Sequence, residues 1–320
     1  MDIKTLAKSS AFMMTLALVT ALITNFAGWF PGDVLTADIR SKMTIFILAT
    51  MLTVSLSRIP FTNLDPIKHR RSVLRSILLG LVISSIIPLI GYFLLKDTEY
   101  GDQAVGLVFI AATPFAASVA PLSFILNGDM EHASRGTIIV YIVALAWIPF
   151  IVWITLSKVV DMKDVFITVL ELIAVPLILS RLLTKVKINK EFMAIFLNCC
   201  IFFLVWLSVG STNFKGIGAW IFIAFLVIAA LRSFGLGNAV EFTEKRMGIH
   251  WKQRVSDILM TSYKNKGIAI VLCVALFPPG MVAIATSILV EIMWVAFMDS
   301  VLFSKKRMER EIAQESEASA

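Results

Sequence analysis

Residues 106–129 read GLVFIAATPFAASVAPLSFILNGD, an apolar run that carries two prolines. The run is long enough to cross a bilayer, which takes about 20 apolar residues in a helix. Pro114 and Pro121 lack the backbone N–H that a helix interior needs, and Ser118 lies between them. In lipid an interrupted helix is tolerated where protein shields it or where it lines a cavity. The stretch therefore predicts a broken membrane helix beside a functional cavity; the alternative is a helix that the prolines only kink.

Composition extends the membrane prediction to the whole chain. Of its 320 residues 58% are hydrophobic and 16% are charged, and the mean hydropathy of +0.86 is too high for a water-soluble chain of this length. Uncharged stretches of spanning length cover residues 9–32, 76–95, 103–128, 136–157, 192–214 and 267–290, and shorter apolar runs cover 43–57, 165–180, 216–231 and 281–298. With the last long run divided at residues 277–280, the sequence predicts an all-α polytopic membrane protein of ten transmembrane helices.

The distribution of basic residues supports that count. If the N-terminus is cytoplasmic, the loops on that side and the termini hold 21 Lys and Arg residues, and the opposite loops hold 6. Such an asymmetry marks the cytoplasmic side. We therefore expect both termini in the cytoplasm and an integral protein of the plasma membrane. The net charge of +7 is explained by topology, so no nucleic-acid partner is expected.

A second interruption lies in residues 261–280, TSYKNKGIAIVLCVALFPPG. Here Lys264, Asn265, Lys266 and Gly267 precede an apolar run in the ninth predicted helix. The two interrupted helices, the fourth and the ninth, are five apart. That spacing predicts two inverted five-helix repeats, with the solute site near the midplane between the broken helices. We expect one transporter domain over residues 1–304, with repeats at about 9–157 and 164–303, and a polar, frayed cytoplasmic tail over 305–320.

The lysines of the second interruption are candidate site residues. Lys264 follows Gln253, the expected start of the helix, by eleven residues, which at 1.5 Å per residue is roughly 16 Å and near the midplane. Charges at that depth are costly and mark functional sites. The alternative is that both lysines reach the headgroups. In an unbroken helix residues 264 and 266 point about 200° apart, so only one of them is expected to face the site. The candidate counter-ions are Asp257, Glu291 and Glu171.

Catalytic and metal-binding patterns are missing from the sequence. His69, His132 and His250 lie in separate predicted loops, and no catalytic motif of the GxSG or HExxH kind occurs. We therefore expect that the protein binds no metal ion and no cofactor, and that it is not an enzyme. An intramembrane enzyme or a channel on the same scaffold is the alternative from another class.

Both interruptions resemble those of the bile acid:sodium symporter family, within the bile/arsenite/riboflavin transporter superfamily. The family's fourth helix carries a Pro-Gly-Gly-Thr-Ala-Ser-Asn type motif, and here Pro114 and Gly128 keep its spacing around FAASVAPLSFILN. Its ninth helix carries a Gly-Met-Gln-Asn-Ser-Gly type motif, which here reads SYKNKG, followed by IAIVLCVALF. The resemblance implies a core and a panel domain, with helices 4 and 9 crossing at their unwound centres. It also implies alternating-access transport of a small organic solute.

The sequence departs from the family at the positions where the resemblance implies sodium ligands. These positions fall on Val119, Ala120, Met260 and Lys264, and only Asn265 and Gly267 agree. Aliphatic and thioether side chains offer no oxygen to Na⁺. We therefore expect a divergent carrier of an organic anion in which Lys264 takes the place of sodium, so that transport is sodium-independent or coupled to protons. The alternative is a sodium-coupled symporter of bile acid-like anions, as in the family.

Overall fold

Helices dominate the computed structural model, which describes residues 10–59, 67–186 and 189–319. The described residues form thirteen helices. They are α1 (Ser10–Phe26), α2 (Ala37–Leu56), α3 (Arg70–Leu95), α4 (Gly101–Ala112), α5 (Val119–Ile125), α6 (Met130–Leu156), α7 (Met162–Lys185), α8 (Lys190–Gly210), α9 (Ala219–Arg246), α10 (Trp251–Ser262), α11 (Lys266–Leu276), α12 (Pro278–Leu302) and α13 (Lys305–Ser319).

Ten of these helices contain the apolar segments of the described chain. Seven of them, α2, α3, α6, α7, α8, α9 and α12, are long and apolar enough to cross a membrane, and α1, α4 and α11 are shorter apolar helices. Large hydrophobic side chains such as Phe26, Phe46 and Leu94 are exposed on the outside, as expected where lipid is the solvent. The chain is therefore an all-α polytopic membrane protein. Lys4 and Lys8, which entered the charge count, lie outside the described residues.

The shorter helices α4 and α11 are enclosed by the others. Every residue of Ala104–Ala112 in α4 is buried, and so is every residue of Ile268–Cys273 in α11. These helices end or begin at the two interruptions, so the interrupted backbone lies inside protein rather than in contact with lipid. This placement meets the requirement that irregular backbone at membrane depth be shielded.

Four of the long helices contain a π-helical turn. The turns lie at Leu78–Ile83 in α3, Leu170–Ala174 in α7, Leu231–Gly235 in α9 and Met298–Leu302 in α12. A π-helical turn shifts the hydrogen-bond register and redirects backbone carbonyls, and such turns are frequent at functional sites. Two of them, in α3 and α9, carry groups of the site described below.

The C-terminal helix α13 differs from the expectation of a frayed tail. Glu311 accepts hydrogen bonds from Lys245 of α9 and from Arg254 of α10, the latter at 2.9 Å between Nη2 and Oε2. Glu315 Oε1 accepts the backbone N–H of Trp251 at 2.7 Å. The expectation was wrong because polar composition does not show that the charges have buried partners. The tail instead caps the start of α10.

Close backbone packing of α4 against α12 gives a test of the fold. A Cβ at Gly106 would lie 2.0 Å from the carbonyl oxygen of Gly280, and backbone cannot move aside cheaply. We expect Gly106→Ala to lower the free energy of unfolding by about 3 kcal/mol, the cost of overpacking. Thermal unfolding followed by tryptophan fluorescence measures it. The control is Gly235→Ala, whose Cβ has no neighbour closer than 3.8 Å, and equal melting temperatures for the two variants would contradict the packing described.

Docking of α13 is expected to depend on the charge of Glu311. Burial acts to raise the pKa of Glu311, but its hydrogen bonds to Lys245 and Arg254 outweigh burial and the pKa is lowered. Docking is therefore fully stabilised above the ordinary glutamate pKa of about 4.3 and is lost as pH falls through the lowered value. At neutral pH, Glu311→Gln should release the helix, seen as faster amide hydrogen exchange in 305–319. The control is Glu309→Gln, which changes an exposed glutamate of the same helix. Unchanged hydrogen exchange in both variants would contradict the role of Glu311.

Candidate functional site

The two interruptions bind each other through their backbones. Ala116 N donates to Tyr263 O at 2.9 Å, and Asn265 N donates to Pro114 O at 2.8 Å. These bonds flank an antiparallel bridge between residues 115 and 264. Pro114 ends α4 because it has no N–H to continue the helix, and each free strand of backbone supplies the partner that the other needs. The fourth and ninth predicted helices are therefore both broken, and they meet at their breaks.

Asn265 and Gly267 shape the start of α11. The Asn265 side chain accepts from Ile268 N at 3.0 Å, a helix N-cap, and its Nδ2 donates to the Tyr141 hydroxyl of α6 at 2.6 Å. A Cβ on Gly267 would lie 2.7 Å from Leu48 Cδ1 of α2. Asn265 thus fixes where α11 begins, and Gly267 allows α2 to approach it closely.

The ammonium of Lys264 lies in a cage of oxygen atoms. Lys264 Nζ donates to Thr113 O at 2.6 Å, Ala111 O at 3.0 Å, Gly80 O at 3.3 Å and Ser85 Oγ at 3.3 Å. Its side chain is 1% exposed, and it forms no ion pair among the residues described here. Four acceptors around one nitrogen favour the charged ammonium, which offers three donors.

Helix dipoles supply the negative potential for this ammonium. Ala111 and Thr113 are at the C-terminal end of α4, where unpaired carbonyls carry partial negative charge. Gly80 lies in the π-helical turn of α3. Lys264 therefore both neutralises the end of α4 and satisfies its carbonyls.

A second buried cation stands at the end of α10. Arg232 Nη1 donates to Ser262 O at 3.0 Å, and Nη2 donates to Glu291 Oε2 at 2.7 Å. The same carboxylate oxygen lies 2.7 Å from Lys266 Nζ. Arg232 and Glu291 are each 1% exposed. Arg232 directly follows the apolar run 216–231, so its charge was assigned to a cytoplasmic loop and it was not among the predicted site residues. Its position at the end of that run was the only signal in the sequence.

The crossing borders a cavity of about 160 Å³. Its polar lining comes from Ser55, Ser118, Asn198, Tyr263, Lys264, Asn265, Lys266 and Glu291, and its apolar lining includes Met14, Met51, Leu52, Leu197, Ile201, Leu204, Val205, Ile270 and Ile288. None of the residues whose oxygens surround Lys264 Nζ lines the cavity. The ammonium of Lys264 is thus turned away from the cavity, and Lys266 and Glu291 are the charged groups at its wall.

Both lysines contribute atoms to the cavity wall, but only the ammonium of Lys266 faces the cavity. One lysine was expected to face the site on the premise of an unbroken helix, whereas residues 263–265 are not helical. Pro114 lies in the first break and Ser118 lines the cavity, but Pro121 is exposed on α5. Glu171 is exposed on α7 and does not reach either lysine. Glu171 is therefore not a counter-ion of Lys264 or Lys266 in this structure.

Asp257 belongs to a different cluster. Its carboxylate accepts from Arg75 Nε at 2.7 Å and lies 2.9 Å from His132 Nε2, and Arg75 Nη2 also donates to Glu244 at 2.6 Å. Lys264 lies beyond the end of α10 at Ser262, and its ammonium is held by other oxygen atoms, so the two residues do not pair. His132 had been predicted in a loop, but it is buried in the first turn of α6. This cluster joins α3, α6, α9 and α10.

Comparison with models of known families gives a match. The model of the family described as Sodium Bile acid symporter family matches residues 42–233, well over half of the chain. The matched region includes the break at Pro114, and the break at Lys264 lies beyond it. No curated protein matches the chain.

The Asp257 cluster is expected to stabilise the end of the bundle where α3, α6, α9 and α10 meet. Asp257→Asn removes the negative partner of both Arg75 and His132, and breaking a buried pair costs about 3–5 kcal/mol. We expect the lower end of that range, about 3 kcal/mol, because the Arg75 side chain is 24% exposed. Thermal unfolding measures the loss, with Asp299→Asn at an exposed site of α12 as the control. An unchanged melting temperature would show that the cluster does not stabilise the fold.

Proposed function

We propose, because the chain belongs to the sodium bile acid symporter family, that it moves a small organic anion across the membrane by alternating access. Family membership and the apolar helical fold make it a membrane transporter of bile acid-like or other organic solutes. Symporters translocate their solutes without transforming them, which agrees with a protein that is not an enzyme. The nature of the solute and of the coupling is proposed from the site.

The proposed architecture is the family's pair of inverted five-helix repeats, over about 9–157 and 164–303, in one domain of residues 1–304. Two observations support it. The interruptions occur in the fourth and ninth apolar segments, and their backbones pair. In addition, α1 and α2 pack on α8 and α2 packs on α7, which suits a panel of α1, α2, α7 and α8 against a core of the other spanning helices. The cavity lies between these two groups.

Lys264 is proposed to replace the sodium ion of the family. The observation that carries this proposal is the set of four oxygen atoms within 3.3 Å of Lys264 Nζ. Oxygen atoms are the ligands that hard cations prefer, and here an ammonium uses them. Val119, Ala120 and Met260, aligned with sodium ligands by the family resemblance, are buried and bring no side-chain oxygen.

Arg232 extends the same argument to the second half of the crossing. Just as Lys264 meets carbonyls at the end of α4, Arg232 meets the carbonyl of Ser262, the last residue of α10. Each half-helix that ends at the crossing is therefore neutralised by a cation of the chain itself. No mobile cation is needed to hold the two ends together, which supports sodium-independent transport, with protons as the candidate coupling ion.

The proposed orientation puts both termini in the cytoplasm of a cell whose plasma membrane holds the protein. Support comes from the excess of basic residues in the loops assigned to that side and in the tail. Site residues proposed for the solute are Lys266, Glu291, Asn265, Gly267 and Ser118, with Pro114 shaping the first break.

Transport in proteoliposomes tests the replacement of sodium. Uptake of radiolabelled organic anions, with cholate and benzoate first in the panel, should proceed equally with external Na⁺ or choline. Lys264→Met should lower uptake to background, because the end of α4 loses its positive charge and its donors. The matched control is Lys158→Met, at an exposed lysine. Strict dependence on Na⁺ would instead support the sodium-coupled alternative, and unaltered uptake by Lys264→Met would remove Lys264 from the mechanism.

A further inference from the structure

The charged cluster beside the cavity contains two cations and one carboxylate. Lys266 and Arg232 both approach Glu291 Oε2, each at 2.7 Å. One carboxylate oxygen therefore serves two cations. The ammonium of Lys264 carries a further positive charge behind the wall, where backbone carbonyls balance it. The cluster of Lys266, Arg232 and Glu291 thus has an excess of one positive charge, and Lys266 is its cation at the cavity wall.

Lys266 is the cation that presents this excess positive charge to the cavity. Its side chain is more than nine-tenths buried, and it lines the cavity at the first residue of the eleven-residue helix α11. Nζ forms an ion pair with Glu291 Oε2 at 2.7 Å and has no other acceptor among the described residues, so at least two of its three N–H donors are without a partner. A buried ammonium with free donors is costly in a membrane protein. The N-terminal end of α11 adds positive potential at the same place.

Much of the remaining cavity wall is apolar, and the cavity is small. Leu52, Ile201, Leu204, Val205, Ile270 and Ile288 form much of its wall. Its volume of about 160 Å³ is close to the roughly 150 Å³ of an apolar cavity known to bind benzene. A steroid nucleus of four fused rings is several times larger than one benzene ring.

We propose that the cavity binds a small organic monocarboxylate whose apolar body is about the size of a benzene ring. This inference rests on the proposed function. The solute carboxylate accepts hydrogen bonds from Lys266, and Glu291 remains with Arg232. Each of these two cations then has its own carboxylate. A dianion would bring a second negative charge to an apolar wall, and a neutral solute would leave the excess charge of Lys266 uncompensated.

Binding to the purified full-length protein in detergent tests the class of solute. Benzoate is the probe, and isothermal titration calorimetry measures its affinity. Benzyl alcohol tests the need for charge, phthalate tests the preference for one charge, and cholate below its micellar concentration tests size. We expect saturable binding of benzoate and at least about tenfold weaker binding of the other three, since a charge-assisted hydrogen bond accounts for a factor of that order.

Substitutions of the two charged groups should act in opposite directions. Lys266→Gln should weaken benzoate binding by about tenfold or more, and Lys266→Arg should retain it. Glu291→Gln should strengthen it, because Lys266 loses its competing carboxylate. The matched controls Lys158→Gln and Glu99→Gln change exposed residues and should leave affinity unaltered. If Glu291→Gln does not fold because Arg232 loses its partner, the comparison of Lys266→Gln with Lys266→Arg still decides the role of the charge.

Three results would overturn the proposal: no binding of benzoate, equal binding of benzoate and benzyl alcohol, or unchanged affinity in Lys266→Gln. Tighter binding of cholate than of benzoate would overturn the size argument. Uptake of cholate into proteoliposomes together with no binding of benzoate would refute the solute class while leaving the transporter proposal standing. Absence of uptake for the whole panel, with benzoate still bound at Lys266, would instead count against transport.

Discussion

The contact between the ammonium of Lys264 and the carbonyl oxygens at the end of α4 is the interaction on which the site depends. Backbone polar groups in a bilayer must find partners within the protein. A helix break there leaves carbonyl oxygens without water to hydrogen-bond to them. The ammonium of Lys264 donates hydrogen bonds to these oxygens and also supplies the compensating positive charge. The paired backbones of residues 114–116 and 263–265 satisfy the remaining groups. With both interruptions stabilised in this way, the chain can bring α11 and its lysine to the edge of a cavity.

Charge at membrane depth is handled in two ways in this molecule. Lys264 is balanced by oriented dipoles, whereas Arg232, Glu291 and Lys266 form a cluster in which a carboxylate is shared. Dipole balance fixes a cation rigidly, because several acceptors define its position. A shared carboxylate leaves one cation free to exchange partners. The first arrangement is suited to holding structure and the second to binding a solute, and the two lie on opposite sides of one short stretch of backbone.

Local sequence predicted the breaks and offered Glu291 as one of three candidate counter-ions, but it could not select the partner of each charge. Pro114 and the SYKNKG stretch interrupt apolar runs, so both breaks were readable from composition and backbone chemistry. Lys266 and Arg232 share Glu291, which lies 25 and 59 positions further along the chain, and only helix packing decides this arrangement. His132 and the tail were misjudged for the same reason, since their partners Asp257 and Arg254 lie on other helices. Glu171 was selected because it is a charge in an apolar run, and the structure turns it outward.

A cation that is covalently part of the chain has an energetic consequence. Under the proposed function, Lys264 stays part of the protein through every transport cycle. Its positive charge is therefore not released on the other side of the membrane and dissipates no ion gradient. In transport without a coupled proton, the membrane voltage then acts on the charge of the solute alone, at about 2.3 kcal/mol per elementary charge for each 100 mV. With a negative cell interior, that force drives a monovalent anion outward. A tethered cation thus favours a facilitator of efflux over a pump that accumulates its cargo.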